Sequence, residues 1–147
     1  MYHTILVPLD GTRLAEAILP QVEELARAHE ARVVFLRVLQ PVPALNRLPG
    51  PYAGWSAGMQ THEWDSATVY LAGKRGEFRE MGLQASSCLE AGPVVETILR
   101  VAAQYDADLI AMASHGRTAL EQLSDRSVAA GVLHGAKCPL LLVRSFD

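Results

Sequence analysis

The chemistry of this chain concentrates in Asp108-Leu109-Ile110-Ala111-Met112-Ala113-Ser114-His115-Gly116-Arg117, with Arg126-Ser127 a short way beyond. An apolar run of strand length ends in a small-residue turn, Ala113 to Gly116. A segment of helical spacing follows and reopens at Ser127. A strand that empties into a glycine-bearing loop and then a helix start gathers backbone N–H groups, the arrangement that holds phosphate. Ser114 and Ser127 add hydroxyls, and the N–H groups near Ser127 add a helix-dipole contribution of about 0.3–1 kcal/mol per charge. The loop is imperfect: a methyl group at Ala113 and the guanidinium of Arg126 stand where glycine would serve best.

Nothing else resembles a catalytic apparatus. His115 has no cysteine, serine elbow or second histidine at a matching spacing, so it is read as orienting the turn or contacting phosphate. His3, His29, His62 and His134 are scattered without an HExxH pattern, and no protein-held metal site is expected. Mg²⁺ or Mn²⁺ would arrive only with the phosphates of a nucleotide. Asp10 ends the first apolar run. Its carboxylate can accept from a ribose hydroxyl or a ring amine, or it can be a turn residue beside Gly11; both readings stay open. Val7, Val38 and Met112 can sandwich an adenine ring or be ordinary core.

These residues need a scaffold. Thr4 to Leu9 and Arg32 to Leu39 are near-continuous apolar runs, as in parallel strands buried on both faces. Between them Ala15, Ile18, Leu19, Val22, Leu25 and Ala26 recur at helical spacing, with Thr12 as cap and Glu16 in the first turn. Pro20 inside that pattern predicts a kink or a displaced start. Gln40 to Gly58, rich in proline and glycine, reads as a long irregular loop carrying Tyr52 and Trp55. His62 to Met81 reads as a helix with Trp64, Ala67, Leu71, Phe78 and Met81 inward, closed by Gly82. Lys74, Arg75 and Arg79 on it read as a solvated face. Leu83 to Leu89 suits an edge strand, and Gly92-Pro93 opens a helix through Val94, Ile98 and Val101. Leu109 to Ala113, Ser127 to Leu133 and Pro139 to Val143 read as strand, helix and strand. The alternation predicts an α/β fold, a parallel sheet with helices on both faces, and a ligand beyond the carboxyl ends of its strands.

At 147 residues, one domain spanning 1–147 is expected, able to bury roughly 68–70% of its unfolded surface. A net charge of −3 argues against non-specific nucleic-acid binding. No apolar run approaches a membrane span and no charged leader precedes the first strand, so a cytoplasmic protein is expected. Cys88 and Cys138 show no metal or redox spacing and read as small buried thiols of a reducing cytosol.

Ile5-Leu6-Val7-Pro8-Leu9-Asp10-Gly11, Gly92-Pro93, Met112-Ala113-Ser114-His115-Gly116-Arg117-Thr118 and Cys138-Pro139-Leu140-Leu141-Leu142-Val143-Arg144, in that order, resemble the universal stress protein family from Tyr2 to Arg144. The resemblance implies an open Rossmann-like five-stranded sheet of order 3-2-1-4-5 and a homodimer formed through the last strand, Leu140 to Arg144. That order would put Cys88 and Cys138 on opposite edges, too far apart for a disulfide. It also implies an adenine-nucleotide site built from Pro8, Leu9, Asp10, Val38, Gly92, Met112, Ala113, Ser114, His115, Gly116, Arg117, Arg126, Ser127 and Val128, taking ATP, or AMP or ADP. Family members that bind ATP carry G-x2-G-x9-G-[ST], which falls on Ala113, Gly116, Arg126 and Ser127, so two of three glycines are replaced. A β-carbon at 113 costs about 1–3 kcal/mol by overpacking, roughly ten- to a hundred-fold in affinity. Arg126 can block the γ-phosphate position or grip it.

The function expected is a stress-response module that binds or signals, with a weakened nucleotide site. The alternatives are a dimerisation and protein-interaction module of the same fold, or a very slow ATPase. A nucleotidylyltransferase would want H-x-G-H after the first strand, and a receiver domain an acidic pair there; Pro8-Leu9-Asp10-Gly11 offers neither.

Overall fold

Strand β1 (Thr4–Pro8) is buried along nearly its whole length, with Ile5, Leu6 and Val7 at 0% exposure, because it lies between two neighbours and under helices on both sides. The computed structural model describes residues 1–40, 53–115 and 128–145, with backbone alone for 53–60 and 115. β2 (Arg32–Leu39), β3 (Ala85–Ala91), β4 (Leu109–His115) and β5 (Leu140–Ser145) complete a parallel sheet of order β3-β2-β1-β4-β5. Leu6 sets the register in the middle, opposite Val34 on one side and Ile110 on the other. Cys88 lies on one edge strand and Cys138 precedes the other, and both thiols are free.

Successive strand residues face opposite layers. Ile5, Val7, Val33, Phe35, Leu109 and Ala111 pack under helices α1 (Leu19–His29) and α2 (Ala53–Glu80). Leu6, Val34, Leu36, Val38, Ile110 and Met112 pack under α3 (Val94–Gln104) and α4 (Ala129–Gly135). Phe35 and Phe78 meet edge to face at 4.9 Å in the first layer.

Pro20 displaces the start of α1. A 3-10 turn occupies Ala15–Ile18, and the α-helix begins at Leu19 with Pro20 in its first turn, where the missing N–H has no intrahelical partner to lose. The expected cap by Thr12 is not made on α1, since the residues at the N-cap positions of the 3-10 turn and of α1, Leu14 and Ile18, carry no side-chain cap bond; the Thr12 Oγ1 instead accepts the Ala15 N–H at 3.2 Å, at the start of the 3-10 turn. Glu16 does more than meet a dipole, since it accepts from Lys74 Nζ at 2.7 Å and from the Tyr70 hydroxyl at 2.9 Å.

α2 begins at Ala53, inside the stretch expected to be irregular, and takes in Trp55. Of its expected inner face, Ala67, Leu71 and Phe78 are buried but Trp64 is 43% exposed. The expected solvated face is instead a set of ties. Lys74 reaches Glu16, Arg75 donates to Ser87 Oγ at 3.1 Å, and Arg79 donates to the Ala85 carbonyl at 2.9 Å. Gly82 (φ +82) closes α2 as expected, with the Leu83 N–H returning to the Phe78 carbonyl at 3.1 Å.

The fourth helix starts and ends two residues later than the expected Ser127–Leu133. Its Gly131 and Gly135 let it lie close on α3: a β-carbon would come 2.9 Å from Val95 Cγ2 at the first and 2.5 Å from Leu99 Cδ1 at the second. Among the described residues, no helix is long and apolar enough to cross a membrane.

Candidate functional site

β1 is the point where the chain's strand order reverses, β2 lying on one side and β4 on the other. Crossover helices leave toward opposite faces there, which opens a crevice beyond the strands' carboxyl ends. A cleft of about 260 Å³ occupies that place, lined by Pro8, Leu9, Asp10 and Ala15, by Leu36, Arg37 and Val38 of β2, by Val94 and Ile98 of α3, by Met112, Ala113 and Ser114 of β4, and by Val128 and Ala129.

Asp10 takes the turn role among its sequence readings and also stands in the cleft lining. Its Oδ1 accepts the Thr12 N–H at 2.8 Å and the Thr12 hydroxyl at 2.6 Å, a turn that shapes the loop after β1. The carboxylate still stands exposed in the cleft lining, as an acceptor for a donor on a ligand. Leu9, 3% exposed, is held by its N–H on the Leu36 carbonyl at 2.8 Å.

Val38 and Met112, 8% and 6% exposed, form apolar walls that a flat ring could contact. Val7 does not join them. One-residue alternation along β1 sends it to the opposite layer, against α1 and α2. Gly92 is not among the lining residues. Its φ of +149 and its N–H on the Leu39 carbonyl at 3.0 Å serve the turn into α3, where a β-carbon would meet Thr97 Oγ1 at 2.9 Å.

The largest correction concerns Ala113 to Gly116. Ala113 ends no strand and opens no turn: beyond the expected strand Leu109 to Ala113, Ser114 and His115 continue β4, and the three residues stand in register with Val143, Arg144 and Ser145 of β5. Local sequence gives small residues a loop reading, but β5 offers this backbone a full ladder of partners, and pairing wins. Gly116, Arg117, Arg126 and Ser127 lie outside the described residues; Ser114 and Val128, on either side of them, both line the cleft.

Sequence reasoning missed Arg37, Ala15, Leu36, Val94, Ile98 and Ala129. For Arg37 a signal was available: it is the one charged residue inside the apolar run Val33 to Leu39. Among the described side chains lining the cleft, no imidazole or thiol accompanies Ser114. No group of His, Cys, Asp and Glu among the described residues could hold a metal ion.

The sequence model of the universal stress protein family matches residues 1–144. The chain belongs to the universal stress protein family. A relative from Thermus aquaticus, the universal stress protein in the QAH/OAS sulfhydrylase 3′ region, is 31% identical over 98% of this chain and 100% of its own. The fold of this family member also matches solved structures. That of MJ0577, a universal stress protein of Methanocaldococcus jannaschii, superposes with a TM-score of 0.80 at 22% identity, covering 98% of this chain and 96% of the other. A universal stress protein in complex with cAMP superposes at 0.71, with 17% identity and 98% of each chain covered. One from Archaeoglobus fulgidus in complex with dAMP superposes at 0.66, with 19% identity over 96% and 97% of the two chains.

Proposed function

We propose that this universal stress protein binds an adenine nucleotide in the cleft between the ends of β1, β2 and β4, and that it acts in a cytoplasmic stress response by binding rather than by turnover. One observation carries the reading: two apolar walls, Val38 and Met112, share a crevice at the strand-order reversal with the Asp10 carboxylate and the Ser114 hydroxyl. The cAMP and dAMP complexes of proteins with this fold supply the ligand class. The two free thiols suit a reducing compartment.

The roles follow from the chemistry. Val38 and Met112 would hold the base by apolar contact, Asp10 would accept from a ribose hydroxyl or the ring amine, and Ser114 would donate toward phosphate. Gly116, Arg117, Arg126, Ser127 and Val128 would complete the phosphate side, and His115 would orient that segment. At about 260 Å³ the described cleft is of nucleoside size, a little under the ~300–1,000 Å³ of pockets for drug-sized ligands. AMP, ADP and ATP would therefore share base and ribose contacts and differ at the phosphate end. Mg²⁺ or Mn²⁺ would be carried by those phosphates. Calorimetric titration of the full chain with each nucleotide, with and without Mg²⁺, tests the reading. Saturable binding at or below millimolar ligand supports it, and no saturable heat for any of the three overturns it.

A second reading, a dimerisation and protein-interaction module, has its own observation. β5 is an edge strand, and Leu142 on it is 38% exposed. An apolar edge of that kind invites pairing with a second copy through Leu140 to Arg144. Light scattering should give twice the chain mass, and Leu142→Asp should give the monomer mass; a wild-type monomer at 100-fold dilution series and above sinks the dimer.

A further inference from the structure

Thr12 makes two bonds to a single oxygen of Asp10. Its N–H reaches Asp10 Oδ1 at 2.8 Å and its hydroxyl reaches the same atom at 2.6 Å. Among the described residues, no hydrogen bond goes to Asp10 Oδ2. One oxygen of the carboxylate is thus taken up within the turn, and the other is the acceptor left for a ligand in the cleft.

The Thr12 hydroxyl works in both directions. It donates to Asp10 and accepts the Ala15 N–H at 3.2 Å, so one atom links the carboxylate to the start of the 3-10 turn. A short O–H···O⁻ bond of this kind is charge-assisted and strong among hydrogen bonds. The turn itself is anchored. Glu16, next to Ala15, is gripped through both of its oxygens from α2, by Lys74 Nζ on Oε1 at 2.7 Å and by the Tyr70 hydroxyl on Oε2 at 2.9 Å. The Lys74 and Glu16 side chains are largely shielded from water, which weakens screening of that pair. Contacts therefore run from α2 through Glu16, Ala15 and Thr12 to the Asp10 carboxylate.

Asp10 is an exposed loop residue. Left untied, its side chain would spread over several rotamers, and a ligand would have to select one at an entropic cost. Thr12 removes that cost before the ligand arrives.

We infer that Thr12 is a positioning residue of the cleft, holding Asp10 Oδ1 so that Oδ2 stands ready for an O–H or N–H donor of the ligand. The assignment rests on the nucleotide-binding reading above and adds a residue that is not itself in the cleft lining.

The test titrates AMP into the full chain as wild type, Thr12→Val and Thr12→Ser, each with Asp10 present and with Asp10→Ala. Thr12→Val keeps the side-chain shape without the hydroxyl and should weaken AMP by about threefold to tenfold. Thr12→Ser restores the hydroxyl and should bind as wild type does. In the Asp10→Ala background, Thr12→Val should cost nothing further, whereas a residue that merely stiffens the turn would weaken binding by the same factor with or without Asp10. Thr12→Ala gives the same comparison should Thr12→Val fail to fold. Should Asp10→Ala bind too weakly to titrate, the carbon resonance of the Asp10 carboxyl decides: at saturating AMP it should shift in wild type and Thr12→Ser and stay in place in Thr12→Val. Equal affinity for wild type and Thr12→Val, equal loss in both backgrounds, or the same resonance shift in all three chains overturns the Thr12 assignment while nucleotide binding stands. If wild type does not bind AMP, the nucleotide reading itself has failed and the assignment with it.

Discussion

Ala113 lies directly opposite Val143 in the β4–β5 ladder, so the first position of the phosphate-loop pattern is a strand residue. Among the described non-glycine residues, positive φ occurs only at Glu30 and Asp106. Ala113 therefore has no need of glycine for its backbone. What remains of the expected penalty is its β-carbon at the cleft wall. Ala113→Gly should tighten AMP and ATP binding by up to about tenfold by making room. It should also lower stability by about 0.5–1 kcal/mol, because glycine in a strand loses more backbone entropy on folding. Calorimetric titration and urea unfolding read the two effects separately; unchanged affinity would show that the methyl excludes nothing.

Asp108, just ahead of β4, clamps the start of β1. Its Oδ2 accepts the His3 N–H at 2.8 Å and its Oδ1 the Thr4 N–H at 3.0 Å. Burial works against the ionised carboxylate, but the N–H groups of Thr4 and His3 outweigh it and hold the pKa below the usual aspartate value. The folded form thus favours the carboxylate. Its contribution is fully present above the unfolded pKa of about 3.9 and is lost as pH falls through the lower folded value. Asp108→Ala should cost about 1–2 kcal/mol at neutral pH and remove part of the acid limb of the stability profile, followed by urea unfolding between pH 2 and 7.

Glu16, Lys74 and Tyr70 tie α2 to the turn that borders the cleft. Burial raises Glu16, yet the Lys74 ammonium and the Tyr70 hydroxyl bring it below its ordinary value. The bond to Glu16 raises Lys74 against burial, and burial followed by Glu16 pushes Tyr70 far up. The signs bound a window. The Glu16 contribution is lost as pH falls below about 4, and those of Lys74 and Tyr70 are lost as pH climbs past about 10 through their raised values. Lys74→Met should cost up to about 1 kcal/mol near pH 7, since the group is only partly shielded from water, and should narrow the plateau at both ends. A plateau of unchanged width in thermal unfolding would show the network to be idle.

Gly131 and Gly135 face different neighbours. A β-carbon at Gly135 would meet the far end of the Leu99 side chain, which can rotate away. At Gly131 it would meet both Cγ atoms of Val95, a β-branched side chain with little rotamer freedom. Gly131→Ala should therefore destabilise by about 1–3 kcal/mol and Gly135→Ala by less, although the nominal distance at Gly135 is shorter. Equal losses in denaturant unfolding would contradict this ordering.

The amino-acid order alone determined the alternation of buried parallel strands with helices, the proline-opened α3, the glycine stop at Gly82, and the strand-end residues of the cleft, Pro8, Leu9, Asp10, Val38, Met112, Ala113 and Ser114. Those features rest on local periodicity and on the conformational limits of single residues, which need no distant partner to be read. The strand order was available only through family resemblance. Tertiary structure decided that Ala113 to His115 extend β4, because their backbone groups find partners on β5, residues far along the chain. It decided that Val7 turns away from the cleft, that Lys74 and Arg79 serve as ties, and that Arg37 lines the cleft. Each of these depends on which face of one element meets which face of another, and a linear pattern records the spacing of side chains without recording what lies across from them.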